Sequence, residues 1–127
     1  MKIPKPKKIS DQVLDGLVRQ YIRLISGGYC KRCKKYVDGA IQVSHLYGRR
    51  RKTVRWDLRN VQPLCPDCHY KIDNDHLLKT SFQFDVLTQQ EIEELEKLAN
   101  LTIKESPIDR EEIKESLKEK IKNLRGE

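Results

Sequence analysis

The sequence lacks the features of a membrane-spanning or secreted protein. It has no apolar run long enough to cross a bilayer and no apolar segment typical of a secretory signal peptide. Hydrophobic residues make up only 37% of its 127 residues, so we expect one small domain that needs an additional cross-link to stay folded. Low-complexity segments are absent, as are internal repeats other than one cysteine motif. These absences predict a reducing compartment, namely the cytoplasm, or the host cytoplasm if a phage encodes the chain.

Cysteine and histidine are absent outside the stretch from residue 30 to residue 76. Its four cysteines form two Cys-x2-Cys motifs, Cys30 with Cys33 and Cys65 with Cys68. In a reducing compartment such motifs bind metal more often than they form disulfides, so disulfide pairing is the weaker alternative. We therefore predict a tetrahedral Zn²⁺ site. Because four thiolates leave no open position for water, this zinc should be structural and not catalytic.

The net charge of +7 is unevenly distributed along the chain. Residues 1–87 contain 18 basic and 8 acidic residues, a balance of +10, whereas residues 88–127 have a balance of −3. The basic part therefore coincides with the cysteines and histidines. A basic surface around a metal site predicts a nucleic-acid partner, with DNA as our candidate. The alternative is a charged surface that serves only solubility.

Hydrophobic periodicity divides the chain into segments. Residues 1–9 contain two prolines and predict a basic flexible arm. Residues 10–28 predict a helix with Ser10 as its N-cap. Its Arg19 and Arg23 could face DNA, although solvent is the default for such positions. Residues 29–80 predict a strand that ends at Ser44-His45, an extended piece that begins at Val54, and a short helix from Cys68 to His76. A linker should follow at 82–86.

Residues 88–127 predict a C-terminal helical extension. Thr88 and Glu91 form a capping box that opens a helix to about Asn100, and Ser106-Pro107 should start the last helix. Apolar residues share one face of that helix: Ile113, Leu117, Ile121 and Leu124. This stripe either packs back on the domain or pairs two subunits as a homodimer. The segments together predict a small α+β fold.

The three histidines need a separate explanation, since four thiolates already satisfy zinc. His45 should end a strand beside a basic loop, and His69 directly follows a zinc ligand. His69 and His76 are seven residues apart, which is two turns of a straight helix and places them on one face. A neutral imidazole binds divalent metals and accepts protons from water, and phosphodiester hydrolysis needs both functions. Single histidines are usually surface or core residues, but three in one cysteine-bearing basic stretch favour a site.

The order and spacing of these motifs resemble the HNH endonucleases of the ββα-metal type, and within them the phage NinG/Rap recombination nucleases. The resemblance covers roughly residues 29–80. It lies in the first Cys-x2-Cys, Ser44-His45, the stretch from Trp56 through Arg59-Asn60, and the second Cys-x2-Cys followed by His69. It implies a ββα-metal HNH core with a four-cysteine zinc knuckle, flanked by an N-terminal helix and two C-terminal helices.

The resemblance also implies an activity, a metal-dependent DNA endonuclease in recombination, repair or phage DNA processing. His45 matches the general base, and Asn60 matches the residue that braces the loop and orients that base. His69 matches a catalytic metal ligand and His76 a second one, with Mg²⁺ or Mn²⁺ as the expected ion. Two positions depart from the pattern. Ser44 stands where many HNH enzymes have an Asp or His ligand, and His69 replaces the Asn of the NinG-like group.

A basic loop follows His45, and two further arginines lie beyond it. Guanidinium groups match phosphate oxygens, so these side chains are our candidates for holding the DNA backbone: Arg49, Arg50, Arg51, Lys52, Arg55 and Arg59. Backbone contacts do not read bases, which leaves both a branched junction and a plain duplex open as substrates. Two alternatives to the nuclease remain, a non-catalytic zinc-knuckle module that binds nucleic acid and a zinc-stapled adaptor for proteins.

Overall fold

The protein forms a small α+β fold, described here by a computed structural model for residues 8–127. Across these residues there are five α-helices and one two-stranded antiparallel sheet, in the order α1 (Asp11–Ser26), β1 (Gln42–His45), β2 (Val61–Leu64), α2 (Pro66–Asn74), α3 (His76–Val86), α4 (Gln89–Ala99) and α5 (Arg110–Leu124). The predicted small α+β class is therefore confirmed, whereas the HNH core stays a prediction and most of the predicted arm (1–9) lies outside the described residues. No helix in this part of the chain is both long and apolar enough to cross a bilayer.

Helix α1 begins and ends where its capping residues predict. The Ser10 side chain accepts a hydrogen bond from the Val13 backbone nitrogen, and Gly27 ends the helix in the left-handed region at φ 58°. Its buried face, which includes Leu14 and Val18, packs against α5 and against both strands. α1 therefore covers one side of the sheet.

Helix α5 packs back on the domain through its apolar stripe. Leu117 and Ile121 are buried against the rest of the chain, which confirms the first of the two predicted alternatives, while Leu124 stays 48% exposed. The predicted start at Ser106-Pro107 is wrong. The helix begins at Arg110 because the Asp109 side chain accepts a hydrogen bond from the Glu112 backbone nitrogen and so caps it. The predicted homodimer through these helices stays a prediction.

Strands β1 and β2 pair antiparallel, with Gln42 opposite Leu64 and His45 opposite Val61. Helix α2 follows β2 directly, so this part of the chain has the order strand, strand, helix. The predicted extended piece from Val54 to Trp56 is wrong, because these residues form turns. Val54 and Trp56 are both buried, and the charged Arg55 lies between them. This alternation of apolar and charged residues is also typical of a strand.

The segment after the second cysteine motif is two helices and not one helix followed by a linker. α2 ends at Asn74, and Asp75 adopts an extended conformation whose side chain caps α3 by accepting a hydrogen bond from the Leu78 backbone nitrogen. His76 is therefore the first residue of α3, which corrects its predicted place on the helix of His69. α3 continues through the predicted linker to Val86 because Phe82 is buried in the core. The predicted capping box of α4, Thr88 with Glu91, is confirmed.

Candidate metal centre and basic cleft

The four cysteines form one compact cluster. Their sulfur atoms all lie within 4.8 Å of one another, and the Cys33 and Cys65 sulfurs are 3.9 Å apart. A tetrahedral zinc ion with sulfur ligands at about 2.3 Å would separate its ligands by about 3.8 Å. The four side chains therefore fit a structural metal ion such as zinc, as the sequence predicted.

A tight turn and a helix N-terminus bring the cysteines together. In the first motif the chain turns back at Lys34, whose φ is 66°, and the Cys30 backbone nitrogen donates to the Lys35 carbonyl at 2.9 Å. In the second, Cys65 is the N-cap of α2, and its sulfur accepts a hydrogen bond from the Cys68 backbone nitrogen at 3.3 Å. The Lys31 backbone nitrogen bonds the Pro63 carbonyl at 2.8 Å and joins the first turn to β2. The cluster thus connects the first turn, β2 and α2.

The electrostatics of the cluster favour a bound cation. Burial raises the pKa of the Cys68 thiol; the Arg32 guanidinium 3.5 Å away opposes this, but hydrogen bonds with the other cysteines contribute to a pKa of about 12. Burial also opposes ionisation of Cys30, yet backbone hydrogen bonds from Cys65, Cys33 and Arg32 lower its pKa to about 6. Burial and hydrogen bonds thus make one thiol ionise readily while another resists. A divalent cation bound by the four sulfurs would favour the thiolate form of each.

A basic cleft of about 520 Å³ lies between α1, β1 and α2. Two of the three histidines, His45 and His69, line it. The charged side chains that line the cleft are four basic and two acidic: Arg19, Arg23, Arg49 and Lys79, with Asp15 and Asp73. The cleft therefore combines imidazoles with an excess of positive charge.

His45 ends β1 and has a defined tautomer. Its Nε2 atom lies 3.2 Å from the backbone carbonyl oxygen of Arg55. Because a carbonyl can only accept, Nε2 must carry the proton, which leaves Nδ1 as an acceptor. Burial lowers the pKa of His45 below its ordinary value of 6.5, although the Arg55 carbonyl and the Asp15 carboxylate oppose that shift. At neutral pH the ring is therefore uncharged and able to take a proton.

Asn60 holds the chain that follows His45 in place. Its side-chain oxygen accepts from the Tyr47 backbone nitrogen at 2.7 Å, and its side-chain nitrogen donates to the carbonyls of Tyr47 and Val54, each at 3.0 Å. The Leu46 backbone nitrogen also donates to the Asn60 carbonyl at 2.8 Å. The Asn60 side chain is fully buried, and its bond to the Val54 carbonyl is buried with it. Asn60 therefore joins the backbone after His45 to the turn that contains Val54, and its role in orienting His45 stays a prediction.

His69 faces the cleft from α2 together with a residue that the sequence analysis missed, Asp73. The His69 Nδ1 atom lies 2.7 Å from the Gln42 side-chain oxygen, and its Nε2 atom lies 3.2 Å from a carboxylate oxygen of Asp73. Neighbouring ligands of one octahedral Mg²⁺ ion are separated by about 3 Å, so this pair has a spacing compatible with shared coordination. The four-residue spacing on a helix was the signal for Asp73.

The third histidine and Ser44 lie elsewhere. His76 is exposed at the start of α3 and does not line the cleft. Within residues 8–127, the four cysteines are the one cluster of three or more potential ligands close enough to share an ion. Ser44 is buried in β1, and its hydroxyl has no hydrogen-bond partner among the described residues. The structure therefore brings together two of the three predicted imidazoles.

Some side chains of the predicted basic loop are largely exposed to solvent, whereas others bond to residues elsewhere in the fold. Arg49 lines the cleft, is 66% exposed and lies 3.9 Å from Asp15. Arg50 is exposed, whereas the Arg51 guanidinium donates to the Ala99 carbonyl at the end of α4 at 2.9 Å. The Lys52 ammonium pairs with Asp11 at 3.2 Å. Arg49 and Arg50 are thus the members best placed for a polyanion.

The other two predicted DNA-binding arginines have internal partners. Arg55 bonds both carboxylate oxygens of Asp15, at 2.6 and 3.2 Å, and is 13% exposed. Arg59 pairs with Asp57 at 2.7 Å and with Glu94 at 2.8 Å. Their guanidinium groups connect elements of the fold, so contact with DNA through them stays a prediction.

Arg19, Arg23 and Lys79 contribute to the cleft although the sequence analysis left the first two to solvent and omitted the third. The positions 15, 19 and 23 are four apart, so Asp15 and both arginines share one face of α1. That spacing was available in the sequence, but which face would meet β1 was not.

In comparisons with known proteins, no protein-family model matched the chain, and no curated protein or solved structure gave a significant match.

Proposed function

We propose that the protein is a metal-dependent DNA endonuclease of the HNH type. The observation that carries this proposal is the placement of His45, which lines a basic cleft together with His69 and whose Nε2 atom lies 3.2 Å from the Arg55 carbonyl oxygen. A general base and a metal ligand in one polyanion-attracting cleft are the parts that phosphodiester hydrolysis needs.

In this proposal His45 takes the proton of the attacking water. Its Nε2–H is committed to the Arg55 carbonyl, which fixes the ring orientation and leaves Nδ1 for the water. The lowered pKa keeps the ring neutral at physiological pH. Asn60 holds the backbone beyond His45, so that the base does not move away from the cleft.

His69 and Asp73 would hold the catalytic ion, Mg²⁺ or Mn²⁺. An imidazole nitrogen and a carboxylate oxygen are suitable ligands for either ion, more so for Mn²⁺. When bound, the ion would neutralise charge that develops on the phosphate and its leaving oxygen. For His69 to become a ligand through Nε2, this nitrogen must release to solvent the proton that it donates to Asp73, and the contact with Asp73 must be exchanged for a contact with the ion.

The basic side chains of the cleft would hold the DNA backbone. Arg19, Arg23, Arg49 and Lys79 surround the two imidazoles, and the three arginines offer planar donors for phosphate oxygens. Such contacts position a duplex without reading its sequence. The proposed substrate is therefore DNA defined by its backbone, in recombination, repair or phage DNA processing.

The cysteine cluster would contribute indirectly. Cys68 immediately precedes His69 in α2, and Cys65 caps that helix. A zinc ion bound by the four thiolates would therefore fix the helix that presents His69 and Asp73 to the cleft.

A nicking assay on supercoiled plasmid with Mg²⁺ or Mn²⁺ tests the proposal. We expect His45→Ala to slow nicking by about 10²–10⁴-fold, the usual contribution of a general base, while DNA binding is nearly unchanged. His76→Ala is the matched control, since this exposed histidine lies outside the cleft and should leave the rate within about twofold. Undiminished nicking by His45→Ala would remove the proposed base.

One observation favours a second candidate, a nucleic-acid-binding module without catalysis. Both ring nitrogens of His69 already have protein partners, Gln42 and Asp73, as expected of a structural histidine. The same assay distinguishes the two candidates. A protein that binds plasmid tightly but does not nick it with either ion, at any protein concentration, is a binding module.

A further inference from the structure

Two tyrosines lie exposed on the first cysteine turn, on the opposing arms of its loop. Tyr29 and Tyr36 pair across the loop as an isolated antiparallel bridge, which puts both side chains on the same face. Their ring centroids are 5.1 Å apart with an angle of 56° between the planes, and they are 55% and 59% exposed. Large aromatic rings this exposed contribute little to the core.

The local backbone holds these rings in a fixed place. The Val37 backbone nitrogen donates to the Gly28 carbonyl at 2.8 Å, and the Tyr36 hydroxyl donates to the Asp38 carboxylate at 3.2 Å. Gly28 has a φ of 89°, and a Cβ atom there would lie 2.6 Å from the Tyr36 ring. The glycine therefore lets the Tyr36 ring lie directly against the backbone. The pair is ordered without being buried.

Three lysines lie on the same turn as the two rings, and one carboxylate, that of Asp38, accepts a hydrogen bond from the Tyr36 hydroxyl. The residues between Tyr29 and Tyr36 include Lys31, Lys34 and Lys35, all of them exposed, and contain no acidic residue. The Lys34 ammonium is held near the turn by the Lys31 carbonyl at 2.7 Å. We call these five residues, the two tyrosines and the three lysines, the tyrosine face.

We propose that the tyrosine face binds unpaired nucleotides of a nucleic acid. Exposed, ordered rings bordered by cations are what sequence-tolerant binding of single strands requires, because bases stack on the rings while lysines meet the phosphates. In a duplex the faces of the bases are covered by their neighbours, so the rings have nothing to stack on. The face would therefore select single-stranded or splayed segments, and it does so independently of any cleavage at the basic cleft.

The test compares two probes without added Mg²⁺ or Mn²⁺, so that cleavage plays no part. One probe is a 12-nucleotide thymidine strand with a central 2-aminopurine, and the other is a 12-base-pair duplex. We expect the wild type to quench the 2-aminopurine fluorescence of the single strand by stacking. The double variant Tyr29→Ala/Tyr36→Ala should bind the single strand about tenfold more weakly or worse, and the duplex within about twofold of wild type.

Two further variants serve as controls. Tyr29→Phe/Tyr36→Phe keeps the ring faces and should retain both affinity and quenching. If the alanine variant lost its zinc, the phenylalanine variant would still test whether the rings themselves bind the single strand. Phe84→Ala removes an equally exposed aromatic ring from α3 and should change neither. Absence of quenching by the wild type, or an equal loss of affinity for both probes, would overturn the proposal. Neither outcome bears on nicking by the cleft, which the His45→Ala assay decides separately.

Discussion

At the scale of single residues, the surroundings of His45 determine how it can act. Burial lowers the pKa of His45 below 6.5, so the neutral ring is present above this lowered value and is lost as the pH falls through it. We therefore expect the nicking rate to rise with pH through a midpoint below 6.5 and then to level off. A pH–rate profile measured at saturating Mn²⁺ checks this expectation. A midpoint above 6.5 would mean that another group supplies the base.

Replacing Asn60 should lower the free energy of unfolding by a large amount for so small a side chain. Asn60→Ala would leave the Tyr47 nitrogen and the carbonyls of Tyr47 and Val54 without their partner in a buried site. We expect a loss of about 3 kcal/mol in the free energy of unfolding, measured by urea denaturation. The control is Asn74→Ala, which removes one exposed hydrogen bond and should cost under about 1 kcal/mol. Similar losses from both variants would contradict the bracing role.

The sequence predicted some residues of the cleft and missed others for a physical reason. His45 and His69, which both line the cleft, were predicted from their identity and from adjacent motifs. Asp73 and Lys79 were missed because their placement depends on where α2 ends and α3 begins, and Asp75 decides that by capping the start of α3. Arg55 was assigned to DNA because its partner Asp15 is 40 residues away in the chain.

At the scale of the helices and strands, local signals predicted elements well where capping groups were strong. Ser10, Gly27 and the capping box of Thr88 gave the ends of α1 and α4 to within about two residues. The errors occurred where two signals competed. Pro107 suggested a helix start, but the Asp109 side chain supplies the cap, and α5 begins three residues later than Pro107.

The cysteine cluster is the element-scale feature that we expect to organise α2. In Cys65→Ser the hydroxyl can still cap α2, so the main change is the lost metal ligand. We expect this variant to lose bound zinc and its cooperative thermal transition, and to lose nicking with them. Metal content and circular dichroism melting measure both effects. A cooperative transition retained without zinc would contradict a structural metal.

At the scale of the whole molecule, the predicted segments share one hydrophobic core. Leu14 of α1, Val61 of β2, Ile72 of α2, Leu95 of α4 and Leu117 of α5 all belong to one buried cluster. The C-terminal helices therefore stabilise the same unit that carries the cleft. The sequence predicted these helices but left open whether the last one packs back on the domain, because packing of α5 on α1 joins residues about a hundred positions apart.

Ion pairs reinforce that attachment near the cleft. Asp11 of α1 pairs with Arg110 of α5 at 2.8 Å, and Arg110 and Arg55 lie over the Trp56 ring. The Trp56 indole nitrogen in turn donates to Asp15 at 2.8 Å. This network fixes the α1 side of the cleft, so the arrangement of His45 relative to α1 depends on the whole chain.

The central claim is that one small domain holds a structural metal at four cysteines and a catalytic metal at His69 and Asp73, beside His45. Anomalous diffraction from crystals containing Mn²⁺ and a short DNA duplex tests this claim most directly. The account predicts a zinc peak among the four sulfurs and a separate manganese peak bonded to His69 and Asp73 in the basic cleft. A manganese peak elsewhere, or none in a cleft occupied by DNA, would contradict it.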